Sequence, residues 1–180
     1  MKYINLEEAL YGGQKYVLAY KDSVRAVEHD KVTDTCYEKA ELLKWSPERV
    51  IKALFFHTNL EMYGFVLPEF GRRFSPKKIF PRILGISRTQ SEKFRNHLCP
   101  EGMEYGTCSP FILERSFSKD GFKGIFIHDS KYLEDTIVDI SIGGIGEKAH
   151  RVSLHLPYSI IYKILYHQFG DKIKKMDLFE

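Results

Sequence analysis

The sequence predicts an α+β domain in which a mixed, largely antiparallel, barrel-like sheet is covered by helices. Three observations predict it. Apolar runs of strand length recur at 50–56, 64–68, 122–127, 136–142 and 151–156. Helical segments with recognisable caps fall between them. Asp120-Gly121 between two apolar runs is a hairpin signal in the second half, so helices and strands are interleaved without the regular alternation of a parallel α/β fold.

The chain opens with a short helix over 6–11, stopped by Gly12-Gly13, and an apolar run 16–20 that reads as a strand. Thr35 with Glu38 three residues on has the form of a capping box and starts a helix over 36–43. Ser46-Pro47-Glu48 begins a second turn, with proline in the first helical position, where its missing N–H costs nothing. The run 50–56 is apolar at every position but Lys52 and reads as a buried central strand. Ser75-Pro76 opens a helix to about Leu84 with Gly85 as its stop, and 89–97 reads as a further helical piece. Residues 111–117 and 122–127 form the expected hairpin. Strands at 136–142 and 151–156 follow, then an amphipathic helix over 157–169 and a charged tail over 171–180.

At 180 residues, 43% hydrophobic and 28% charged, the chain has the size and composition of one globular domain, taken as 1–180. It has no apolar run of membrane-spanning length, and Met1-Lys2-Tyr3-Ile4-Asn5 has no signal-peptide core, so a cytoplasmic, membrane-free protein is expected. The three cysteines, Cys36, Cys99 and Cys108, contain no Cys-x-x-Cys pair and read as free thiols. Charge is uneven. Residues 72–95 carry a net +7 within an overall +3, through Arg72, Arg73, Lys77, Lys78, Arg82, Arg88, Lys93 and Arg95 against Glu92. Such a stretch is either a solvated helix face or a phosphate-contacting surface for nucleic acid.

The stretch 102–110, Gly-Met-Glu-Tyr-Gly-Thr-Cys-Ser-Pro, is the most distinctive. Gly102 and Gly106 admit positive φ and Pro110 fixes the exit, so backbone amides can turn toward one acceptor such as an ester carbonyl. Lys52, inside an apolar strand, must either snorkel to a wet face or meet a carboxylate, carbonyl or bound anion. Ser109 lacks a nucleophile elbow. Cys108 reads as a small buried hydrophobe or a nucleophile. Asp129 ends a strand and caps the next turn. His150 and His155, five apart on an expected strand, face opposite sides and cannot share a metal, so no metal site is expected.

The order of these features resembles the YbaK/ProX-type aminoacyl-tRNA deacylases, relatives of the editing domain of prolyl-tRNA synthetases, over about residues 15–165. Ser46-Pro47-Glu48-Arg49-Val50-Ile51-Lys52-Ala53-Leu54 is similar to the family's helix-to-strand passage with its Lys-Thr-Leu signature, Ala53 standing for the threonine. Val66-Leu67-Pro68, Phe74-Ser75-Pro76-Lys77-Lys78 and Leu84-Gly85 resemble the next strand and helix. Gly106 to Pro110 keeps the Gly-x-x-x-Pro core of the family's loop, 125–129 resembles its strand ending in aspartate, and Ser141-Ile142-Gly143-Gly144-Ile145-Gly146 its Ser-x-Gly-x-Arg-Gly turn, with Ile145 for the arginine. Glu147–His150 is an expansion, and Ile160-Ile161 stands at the entrance to the last helix.

The resemblance implies hydrolysis of the ester that joins a wrong amino acid to a tRNA 3′ end, with no cofactor and no metal. Lys52 and Gly106 would be its catalytic residues, and Tyr20, Gly102, Thr107, Cys108, Ser109, Pro110, Asp129, Ser141, Gly143 and Gly146 would bind the substrate. Arg72, Arg73, Lys77 and Lys78 would hold the tRNA. The implied partners are aminoacyl-tRNA and an aminoacyl-tRNA synthetase, and a monomer is expected. The alternatives are a tRNA- or synthetase-binding module of the same fold without hydrolysis, and a small-molecule esterase or thioesterase.

Overall fold

A computed structural model describes residues 1–10, 14–57, 61–69, 71, 74–96, 99–100, 102–111 and 121–179. Their order is β1 (Lys2–Ile4), α1 (Leu6–Ala9), α2 (Lys15–Leu18), β2 (Arg25–Glu28), α3 (Cys36–Leu43), β3 (Val50–His57), β4 (Met62–Pro68), α4 (Pro76–Leu84), α5 (Arg88–Ser91), β5 (Arg95–Asn96), β6 (Phe122–His128), β7 (Ile137–Ser141), α6 (Glu147–Arg151), β8 (Val152–Pro157), α7 (Tyr158–Phe169) and β9 (Ile173–Met176). A 3₁₀ turn at Pro47–Arg49 leads into β3.

The strands form one mixed sheet in the order β1-β2-β8-β7-β3-β4-β6-β9, with β5 added beside β3. Five of these pairings are antiparallel, whereas β3 with β7, β4 with β6 and β6 with β9 run parallel. The path ends on β1 at one edge and β9 at the other, so the sheet is open. That corrects the barrel-like expectation: the two edge strands are short, of three and four residues, and lie at opposite ends of the path.

Alternation along the strands divides the core. Ile51, Ala53, Phe55, Val138, Ile140, Leu154 and Leu156 face one side, where Val17 of α2 and Ile160, Ile161, Ile164 and Leu165 of α7 cover them. On the other side Phe56, Phe65 and Phe126 pack with Ile79 and Phe80 of α4 and with Phe94. The Phe65 ring stacks on Phe80 and on Phe126 with centroids 5.3 and 5.5 Å apart. Asp139, Ser141, Ser153 and His155 occupy the intervening positions of β7 and β8.

Of the cap signals, Thr35 and Gly85 held, whereas Ser46 and Ser75 precede their helical turns without a side-chain capping bond. Thr35 accepts a hydrogen bond from the Glu38 amide, and the Glu38 carboxylate accepts one from the Thr35 amide. Gly85 ends α4 in the left-handed conformation. Three expectations are corrected. The run 16–20 is the end of helix α2 and the turn after it, and Tyr16 and Tyr20, four residues apart, both set their rings against His167 of α7. The helical piece expected over 89–97 stops at Ser91, since Phe94 turns into the aromatic core and β5 then pairs with β3. The charged tail holds β9, parallel to β6, with Ile173 and Leu178 buried and the Leu178 amide donating to His128 Nδ1. Residues 112–117 of the expected hairpin's first strand, and Asp120, lie outside the described residues.

Gly124 fixes the passage of β6 under the turn before β9: a Cβ there would stand 2.4 Å from the Lys172 carbonyl oxygen. Gly124→Ala is expected to cost about 1–3 kcal/mol, as overpacking against backbone does, and to lower the urea midpoint accordingly.

Candidate functional site

Beside β3, on the sheet face opposite α7, lies a cleft of about 190 Å³, lined by the start of α3, β3 from Val50 to Leu54, the loop residues Tyr105, Gly106 and Cys108, Asp139, Ser141, His150 and Ser153. Of the residues expected from sequence, Lys52, Gly106, Cys108 and Ser141 line it.

Lys52 meets a carboxylate. Its Nζ lies 2.5 Å from Glu69 Oε2 at the end of β4, with the two side chains 26% and 11% exposed. Glu69 Oε1 also accepts from the Gly71 amide, which ties the lysine to the chain leading into residues 72 and 73. Those two arginines lie outside the described residues. Lys77 and Lys78 are exposed on α4, Lys77 within 3.1 Å of Glu92 Oε1.

The loop from 102 to 111 is held by its own polar groups and by the 141–146 turn. Thr107, fully buried, donates its hydroxyl to the Gly144 carbonyl, Ser141 donates to the Thr107 carbonyl, and Gln14 bridges the carbonyls of Phe111 and Ile142. Thr107 and Ser109 amides are engaged by the Glu104 carbonyl and Met103 Sδ, and Ser109 Oγ accepts from the Phe111 amide. Thr107 and Ser109 are therefore frame rather than surface, with buried Pro110 beside them. Among the described residues the amides of Gly106 and Cys108 have no protein acceptor, and both residues line the cleft. Gly102, Gly143 and Gly146 shape the two turns at positive φ without lining the cleft.

Tyr20 and Asp129 stand elsewhere. The Tyr20 hydroxyl donates to the Lys163 carbonyl on the α7 side, and Asp129 is exposed beyond β6 with its amide on the Met176 carbonyl.

Two groupings were missed in the sequence. The first is Glu104 with His150. Glu104 Oε1 accepts from the Gly146 amide at 2.6 Å and lies 3.0 Å from His150 Nε2, while the Cε1–Nδ1 edge of that ring stands against the open side of Gly106, where a Cβ would lie 3.1 Å from Cε1. The Glu147–His150 expansion is helix α6, which carries His150 to the cleft. The second is Asp139 with His29, Ser153 and His155, all buried. Burial by itself would raise the Asp139 pKa, but hydrogen bonds from His155 and His29 and the charge of Lys39 outweigh it and hold the carboxyl well below its ordinary value. His29, Asp139 and His155 place three ligating atoms within 4.8 Å of one another. The five-residue spacing of His150 and His155 bears on those two histidines alone, whereas this trio draws its residues from three different strands or strand ends. Alternation on paired strands is the signal that could have found it, because Asp139 and His155 are direct cross-strand neighbours.

Burial pushes the Cys108 thiol up to about 12, with neighbouring Cys99 adding to it, and the Cys36 thiol up to about 11. Neither is a thiolate at neutral pH, which removes the chemistry a cysteine nucleophile needs. Alkylation of Cys36 and Cys108 in the folded protein by iodoacetamide at pH 8 is expected to be at least about 100-fold slower than in the unfolded chain, as followed by peptide mass spectrometry.

No protein-family model matches the sequence, and no curated protein does. Solved structures do. A proposed trans-editing enzyme for prolyl-tRNA synthetase superposes with a TM-score of 0.62 at 15% identity, covering 95% of this chain and 99% of that one. The hypothetical protein APE2540 gives 0.61 at 18% identity over 93% and 98%, and a scaffold used for computational grafting of linear epitopes gives 0.61 at 14% over 95% and 99%. The chain has their fold. It is the YbaK-like fold that the order of sequence motifs implied, shared over nearly the whole chain at low identity. No helix among the described residues is long and apolar enough to cross a membrane.

Proposed function

We propose that the protein is a trans-acting deacylase that hydrolyses the ester of mischarged aminoacyl-tRNA. The observation that carries the reading is the cleft itself: two unengaged amides, Gly106 and Cys108, beside a histidine that a carboxylate orients, with Lys52 on the neighbouring strand. In this reading His150 donates Nε2–H to Glu104 and keeps its lone pair on Nδ1 toward the cleft. A water gives a proton to Nδ1 as its oxygen attacks the aminoacyl carbonyl carbon. The carbonyl oxygen gains charge against the two amides. The bond to the ribose oxygen then breaks, the imidazolium returns the proton to that oxygen, and free amino acid and tRNA result. Lys52 anchors a terminal phosphate or the substrate carbonyl. A cleft of about 190 Å³ suits a small acyl group, with the nucleotide outside it. Lys77 and Lys78, with residues 72 and 73 nearby in sequence, supply cations for the tRNA backbone.

The test is release of amino acid from tRNAs charged with small non-cognate amino acids. Release that slows steeply with salt supports the reading. Release from small esters but not from tRNA would make it a small-molecule esterase, and tRNA binding without release a binding module. His150→Gln and Glu104→Gln are expected to lower the rate about 10²–10⁴-fold and about 10-fold, with far-ultraviolet circular dichroism unchanged.

A further inference from the structure

The geometry points to a binding site for one divalent transition-metal ion of the zinc class, formed by His29, Asp139 and His155 beneath the floor of the cleft. The three come from three adjacent strands of the sheet: His29 directly follows β2, His155 lies on β8 and Asp139 on β7. Both ring nitrogens approach the carboxylate. His155 Nε2 lies 3.1 Å and His29 Nε2 3.4 Å from the same carboxylate oxygen, Asp139 Oδ2. Tetrahedral ligation at about 2.0–2.2 Å per bond separates neighbouring ligand atoms by roughly 3.3–3.6 Å, so small side-chain adjustments would seat an ion among them.

The chemistry of the donors agrees. Two imidazole nitrogens and one carboxylate oxygen are a common zinc set. The rings are buried, with the His155 ring packed against Trp45 at 4.8 Å, so their directions are fixed by packing before any ion arrives. In the metal-free protein the buried negative charge is offset by Lys39 through space, and the Ser153 hydroxyl donates to Asp139 Oδ2 and lies 2.6 Å from His29 Nε2. An ion would displace that hydroxyl or take it as a fourth ligand. Access comes from the cleft, whose wall includes Asp139 and Ser153.

This site is independent of the deacylase reading, and its test needs no substrate. Chelator-treated protein is titrated with Zn²⁺ by calorimetry and with Co²⁺ by absorption spectroscopy, alongside His155→Gln, Asp139→Asn and a variant with Cys36, Cys99 and Cys108 all changed to serine. The expected result is one ion per folded chain, retained in the cysteine-free variant and weakened at least about 100-fold in His155→Gln and Asp139→Asn. The Co²⁺ form should show ligand-field bands without thiolate charge transfer. No stoichiometric uptake by the folded wild type would overturn the site. So would uptake that needs the cysteines, a thiolate band, or full affinity in folded His155→Gln.

Discussion

Replacing Lys52 by alanine is expected to lower the single-turnover rate on mischarged aminoacyl-tRNA at least about 100-fold, the scale of losing one charged or hydrogen-bonding group that stabilises the reacting centre. The lysine is the only interruption of the apolar run 50–56, and its ammonium lies in the cleft wall against Glu69. Removing it leaves the Glu69 carboxylate, 11% exposed, without its cation. The stability cost should fall between about 1 kcal/mol for exposed pairs and about 3–5 kcal/mol for fully buried ones, since Lys52 is itself 26% exposed. Lys52→Met, which keeps the stem packed and removes the charge, separates the two effects. It should be as inactive as the alanine variant while unfolding at a similar or higher denaturant concentration. An active Lys52→Met variant would remove the lysine from the mechanism.

Gly106→Ala is the second large effect. The backbone there has φ +89, which an L side chain adopts only with strain of about 1–3 kcal/mol, and the new methyl would stand 3.1 Å from His150 Cε1 and 3.4 Å from Nδ1. The methyl therefore acts on the site twice, by turning the amides of the loop and by pushing the ring that Glu104 orients. Activity is expected to fall about 10²-fold, more than the loss of stability explains, because a misplacement of a few tenths of an ångström is carried directly to the reacting centre. Gly102→Ala, also at positive φ but away from the cleft, serves as the control. It should lose stability with a smaller loss of rate, and equal losses in the two variants would show that strain alone is responsible.

Features set by residues close in sequence could be read from the chain directly. The Thr35 capping box, the Gly85 stop of α4 and the buried strand around Lys52 all depend on neighbours within a few positions. What depended on distant partners could not. Tyr16 in α2 and Tyr20 in the turn after it are held because α7, some 150 residues away, offers His167 to both, and an apolar run that short carries no period that distinguishes helix from strand. Lys172, Lys174 and Lys175 made the C-terminal segment look like a solvated tail, yet Ile173 is buried, and a strand on a sheet edge is where lysines belong.

The candidate site divides in the same way. Lys52, Gly106 and Cys108, which line the cleft, lie in stretches where a lone lysine or a glycine- and proline-bounded loop stands out, whereas Ser141, also in its wall, was implied only by the resemblance of the 141–146 turn. Glu104 and His150 are separated by 46 residues and meet only when the two turns are tied by Thr107, Ser141 and Gln14. The placement of Tyr20 and Asp129 outside the cleft follows from topology too, since α2 packs on the α7 side of the sheet and Asp129 leaves β6 at an exposed end.

The most direct test of the central claim is single-turnover release of amino acid from a panel of tRNAs charged with small amino acids, correct and incorrect, by the wild type and by Lys52→Met and His150→Gln at moderate salt. The expected result is selective release from one or a few mischarged species by the wild type and almost none by either variant. Release that is equal in all three proteins, or absent from every member of the panel with the wild type, would contradict it.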